Sequence, residues 1–182
     1  MVKWPDAIVA VLITIVGSGA FTAFLSYVLG QRSEEKKRKK AIRFLATKIC
    51  FALEHYAMRA ASDHADLEDW INTSGSIGKR HGALRAFPEL PESDHYDLFD
   101  IDLLHEIYDF PDKVELANTA ITDAFRHNDE IDGIEEVVSI QCAALAKIAL
   151  ELSQKIRKAY RLPTRELAYD NYDVARWLGL KP

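Results

Sequence analysis

Apolar and polar positions divide this chain into one unbroken apolar block and several stretches of helical spacing. No charged residue occurs from Ala7 to Gln31, a run of 25 positions. As a helix rising about 1.5 Å per residue, such a run covers a hydrocarbon core of roughly 30 Å. It is apolar on every face, whereas a surface helix of a globular protein carries one apolar stripe. A cleaved leader fits less well, because its apolar region runs about 7 to 15 residues after a basic start, and residues 1–6 hold one Lys and one Asp. The pattern predicts a transmembrane helix, with Trp4 and Tyr27 near its two ends.

Further along, Ile42, Leu45, Ile49, Leu53, Tyr56, Ala60, Leu67 and Trp70 recur mostly at steps of three and four, which defines one apolar helix face. Ser33 can cap this helix, with Glu34 and Glu35 in its first turn, and it should run to about Asn72; the alternative is a helix continuous with the anchor across Gly30. Periodicity then vanishes from Thr73 to Asp97, where five Gly and Pro residues punctuate a long loop. Within it Phe87-Pro88-Glu89-Leu90-Pro91 should lie extended, pinned by Phe87 and Leu90. Asp100 can cap a short helix to about Asp109, and Pro111 suits the first turn of another reaching Asn128. The last long helix shows Val138, Cys142, Leu145, Ala149, Leu152 and Ile156 at helical spacing and ends before Pro163. A short helix around Asp173 to Leu178 offers Trp177 as an anchor. The fold class is all-α: an N-terminal transmembrane helix (1–31), a basic collar (32–40), and an antiparallel helical bundle with one long Gly/Pro-containing loop (41–182).

Charge sharpens this division. The chain carries −5 overall, yet residues 31–50 carry +6, which leaves −11 for residues 51–182. Lys36, Lys37, Arg38, Lys39 and Lys40 directly follow the apolar block, and basic residues flanking a span stay on the cytoplasmic side. The expected location is a plasma (inner) membrane, crossed once, with the N-terminus outside and the body in the cytosol. Membrane lipid is then a partner, since each basic residue near an anionic leaflet contributes about 1 kcal/mol. A stop-transfer role alone explains the same five residues. The acidic body repels phosphate backbones, so nucleic acid is not an expected partner.

Gly19, Ala23, Ser26 and Gly30 place small residues along one face of the apolar block. Such a stripe lets two backbones approach and offers a homodimer seam, although Gly and Ala are also common in membrane helices that do not pair. The loop residues Phe87, Pro88, Leu90 and Pro91 are the expected surface for a protein partner.

The segment FPELP (87–91) followed by DLFDIDLLHEIYDFPDKVELAN (97–118) resembles the proline-rich loop and helix pair of uncharacterised bacterial single-pass membrane-anchored helical proteins. That resemblance implies the same layout of anchor followed by helices, and no activity, because the family has none to carry over.

Motifs for chemistry are sparse. No two of the six His lie three or four residues apart, and HExxH is missing. Gly75-Ser76-Ile77-Gly78-Lys79-Arg80 lacks the spacing of a phosphate loop. Asn128 to Gly133 starts like a calcium loop, but its twelfth position is Ser139 and not a carboxylate. Cys50 and Cys142 fall on or beside apolar faces, where a free thiol behaves as a small hydrophobe. The carboxylates Asp63, Asp66, Glu68 and Asp69 beside His64 read as a solvated helix face. No catalytic, cofactor-binding or metal residue is therefore expected, and no cofactor. The leading expectation is a non-enzymatic, membrane-anchored interaction protein that self-associates. The alternatives are a sensor or effector coupling the body to the membrane helix through Gly30, and a tethered hydrolase with a site between helices.

Overall fold

Three long helices bury faces whose apolar residues recur at steps of three and four. In the computed structural model, which describes residues 19–127, 133–169 and 172–178, α1 runs Gly19–Asn72, α2 Ile101–His127, α3 Ile134–Ala159 and α4 Val174–Trp177. A 3-10 turn at Tyr96–Leu98 precedes α2. Two short strands, β1 (Ala168–Tyr169) and β2 (Tyr172–Asp173), pair antiparallel before α4, with Ala168 opposite Asp173. The chain divides into two units, Met1–Ala41 and Ile42–Pro182.

In the first unit, residues 19–41 are helical. The helix does not begin at Ser33, as capping suggested, but passes through Gly30 without a break. Residues 7–18 of the expected span, and Trp4, lie outside the described residues. Among the described residues, no helix is long and apolar enough to cross a membrane.

In the second unit, α1 contributes Leu45, Ile49, Leu53, Ala57 and Leu67, α2 Ile107, Phe110, Val114 and Ile121, and α3 Val138, Cys142, Leu145, Ala149 and Ile156 to one buried core. Ala46, Ala57 and Ala61 on α1 and Ala146 and Ala149 on α3 are fully buried, so small side chains form part of the inner face of both helices. Glu54 meets Arg157, and His64 meets Ser139; rising numbers on α1 face falling numbers on α3, so the two are antiparallel. Glu106 meets Lys155 and Asp100 meets Tyr160, so α2 and α3 are antiparallel as well. It follows that α1 and α2 run in the same direction, and the chain must return along the bundle between them.

The segment 73–100 makes that return. Ser74 and Gly75 adopt positive φ and Gly75 N–H bonds Trp70 O at 2.9 Å, closing the C-terminus of α1. Gly78 (φ +86°) then sits against the helix backbone, where a Cβ would lie 2.1 Å from Asp66 O. Lys79 bonds Asp66 O, Arg85 pairs with Asp63, and Phe87 packs on Tyr56. The segment is thus a strap laid back along α1.

One expectation needs correction in α2. The two helices expected on either side of Pro111 are a single helix. Proline costs a helix interior about 3 kcal/mol, but Ile107, Phe110 and Val114 bury the same face on both sides of it, and that burial outweighs the lost bond. Asp100 caps its helix as expected, its Oδ1 accepting from Asp102 and Leu103 N–H, and Asp173 Oδ1 likewise accepts from Ala175 and Arg176 N–H at the start of α4. Most of the connector expected at Asn128 to Gly133 lies outside the described residues.

Candidate functional site

The residues singled out for membrane contact are all helical. Ala23, Ser26 and Gly30 are exposed, and a Cβ on Gly30 would meet nothing within 4 Å; Gly19 is the first described residue of α1. Phe24, Leu25, Tyr27 and Leu29 beside them are between 43% and 64% exposed. Lys36, Lys37, Arg38, Lys39 and Lys40 are exposed too, and Lys37 pairs with Glu34 at 2.8 Å. Such an exposed pair contributes little to stability.

The loop residues fare differently. Phe87 and Leu90 are half-buried against the core, as pins should be. Phe87 stacks edge-on with Phe110 at 5.0 Å and lies 5.7 Å from Tyr56. Pro91 O accepts from Tyr96 Oη at 2.8 Å. Only Pro88 of the four is well exposed, so most of this segment is spent on holding the strap.

Three polar clusters lie inside the bundle, and periodicity showed none of them. In the first, Arg157 Nε and Nη2 donate to the two oxygens of Glu54 at 2.6 and 3.0 Å, Ser153 Oγ donates at 2.6 Å, and Arg165 Nη1 adds a bond at 3.2 Å. Burial pushes the Glu54 carboxyl up, but hydrogen bonds from Arg157 and Ser153 and the Arg157 charge outweigh it and hold it below the ordinary range. Arg157 Nη1 also donates to Pro163 O at 2.5 Å.

The second cluster corrects the reading of Asp63 and Asp66 as part of a solvated face. Asp63 is buried, its oxygens taking Arg85 Nε at 2.6 Å and Nη2 at 2.8 Å. His81 Nε2 lies 3.7 Å from both Asp63 Oδ1 and Asp66 Oδ2 and is buried without a hydrogen bond. The strap supplies both basic groups, and nothing in the spacing along α1 signals its return. Asp63, Asp66 and His81 have metal-ligand chemistry, with donor atoms within 4.8 Å of one another. A cation there would have to share Asp63 with the Arg85 guanidinium, a positive charge already seated on both oxygens. The arrangement is therefore an ion-pair network.

In the third cluster Ser139 Oγ donates to Glu68 Oε1 at 2.8 Å and lies 2.7 Å from His64 Nδ1. With its proton on the carboxylate side, the hydroxyl accepts from the imidazole. That is the reverse of a serine nucleophile, whose proton passes to the histidine. Ser139 is also fully buried.

Both cysteines are buried and free. Burial pushes the Cys50 thiol up to about 11 and the Cys142 thiol up to about 12, so both remain protonated at neutral pH and are poor nucleophiles.

One larger concavity is present among the described residues. The C-terminal part of α3, the segment after it and the start of α4 enclose about 810 Å³, within the usual range for small-molecule sites of about 300–1,000 Å³. Leu150, Leu162, Leu167 and Val174 line it together with the Glu54–Arg157 pair, and Lys158 and Arg161 also border it.

No family model, curated protein or solved structure matches the chain.

Proposed function

We propose that this chain is a membrane-tethered helical protein that works by holding its bundle at the cytosolic surface of a bacterial inner membrane for contact with a second copy or a protein partner. The observation that carries this reading is the apolar surface of residues 22–30, where Phe24, Leu25, Tyr27 and Leu29 are exposed. Exposed contiguous apolar surface marks a protein or membrane contact. Uncharged sequence continues from these residues back to Ala7, and the basic collar follows them. Those two flanks favour lipid as the cover and set the C-terminal side as cytosolic. The face of Gly19, Ala23, Ser26 and Gly30 is the proposed seam for self-association. Tethering raises the local concentration of the body and so favours weak contacts. In keeping with a non-enzymatic role, Glu54, Asp63 and Ser139 are each engaged in bonds between elements of the bundle.

The test is fractionation of cells expressing the full chain with a C-terminal tag, followed by alkaline carbonate extraction and protease treatment of spheroplasts. The chain should stay with the membrane pellet, and the tag should be cut only after detergent is added. Recovery of full-length chain in the aqueous fraction, or loss of the tag from intact spheroplasts, overturns the reading.

A further inference from the structure

We infer that the cleft beside the C-terminus of α3 binds an anionic amphiphile, an acyl chain ending in a carboxylate or phosphate, with its tail on the leucine-lined wall and its head on Lys158 and Arg161. This inference is independent of membrane tethering, because the residues bordering the cleft all lie between Glu54 and Ala175.

The charges decide which groups remain available. Glu54 is occupied by Arg157, Ser153 and Arg165, and Arg157 in turn spends its third donor on Pro163 O. The inner end of the cleft is therefore a satisfied ion pair. Asp173 is likewise engaged, since its carboxylate caps α4. Among the described residues, the side chains of Lys158 and Arg161 have neither an ion-pair nor a hydrogen-bond partner, and Glu166 is the acidic group left against them.

Capping does not account for these two cations. Basic side chains often gather at a helix C-terminus to meet its open carbonyls. Here Tyr160 N–H bonds Ile156 O, Leu162 N–H bonds Arg157 O and Arg161 N–H bonds Lys158 O. The Arg161 carbonyl itself accepts from Arg43 at 3.1 Å. The carbonyls are served by backbone and by Arg43, in a body whose residues 51–182 carry −11. Two uncommitted cations beside an apolar wall are thus complementary to one negative head on an apolar tail.

The same wall disfavours a nucleotide. Among the described residues, no aromatic ring borders the cleft to stack on a base, and no glycine turn is there to bring backbone N–H groups to a phosphate.

The full chain, in phosphatidylcholine nanodiscs or in buffer according to how it purifies, is titrated with octyl phosphate by calorimetry, with empty discs as the blank. Octyl phosphate should saturate one site, with inorganic phosphate and octanol each at least tenfold weaker. Lys158→Gln combined with Arg161→Asn should weaken octyl phosphate at least tenfold and leave the melting temperature unchanged; Asn suits the positive φ of +51° at Arg161. Lys158→Arg should retain binding, and Lys158→Gln alone gives the reading if the double variant misfolds. Octanol binding as tightly as octyl phosphate, an undiminished affinity in Lys158→Gln and the double variant, or no saturation at millimolar probe overturns the inference. With saturable binding in hand, added phosphatidylglycerol vesicles distinguish the sources: displacement of the probe assigns the head to a bilayer lipid, and undisturbed binding assigns a free single-chain acid.

Discussion

Residues 19–41 and residues 42–72 belong to one helix, α1, yet their apolar side chains meet opposite fates. In the first stretch Phe24, Leu25, Tyr27 and Leu29 stand uncovered, while in the second Leu45, Ile49 and Leu53 are 2% exposed or less. Helical backbone bonding is local and forms in either case. What differs is the distribution around the axis. The second stretch gathers most of its apolar positions on one face and buries them against the bundle, and its Glu54 and Asp63 are held by Arg157 of α3 and Arg85 of the strap. In the first stretch residues 22–30 carry no charged side chain on any face, and their large apolar side chains are exposed. A helix therefore says little about its solvent until the faces are compared.

Four substitutions test that contrast. Glu54→Ala would have the largest effect, because it strands Arg157, whose side chain is 9% exposed. Removing one partner of a buried pair costs about 3–5 kcal/mol; chemical denaturation should show this loss, while membrane partition stays as it was. The same pair sets an acid limb. The folded carboxyl titrates below the unfolded value of about 4.3, so its contribution is complete above that value and is lost as pH falls through the folded one. Glu54→Gln should flatten this limb, and an unchanged limb would place the acid sensitivity elsewhere.

Phe24→Arg should do the reverse. If the proposed membrane anchor holds, a charge within it costs up to about 2.5–3.5 kcal/mol on insertion scales, so the chain should shift from the membrane pellet toward the supernatant while the thermal midpoint of the body holds. A fall in that midpoint with partition unchanged would mean that protein, and not lipid, covers Phe24.

The smallest effect is expected at Tyr56, whose buried hydroxyl has no hydrogen-bond partner although its ring packs on Phe87 and Phe110. Tyr56→Phe keeps the ring and removes an unsatisfied group, so stability should rise by about 1 kcal/mol. A loss on that scale would reveal a partner for the hydroxyl.

Much of the fold could be read in advance at particular residues. Asp100 caps the helix it was expected to cap, and Phe87 and Leu90 pin the loop. Pro111 misled, because a local breaker was weighed without the buried face formed by Ile107, Phe110 and Val114 around it. The candidate cleft could not be seen at all. Its border draws on Glu54, Leu150, Arg161 and Val174, residues spread over more than a hundred positions that share no motif.

Spacing of apolar positions and the separation of charge along the chain were enough to establish helices, their inner faces and the contrast between residues 7–31 and the acidic body, because each depends on neighbours within a turn or two. The parallel run of α1 and α2, the strap that this forces, the pairing of Asp63 with Arg85 and of Glu54 with Arg157, and the two cations left free at the cleft arose only on packing. Long-range contacts are chosen by which faces meet and which charges must be neutralised once water is excluded, and neither is written in local periodicity.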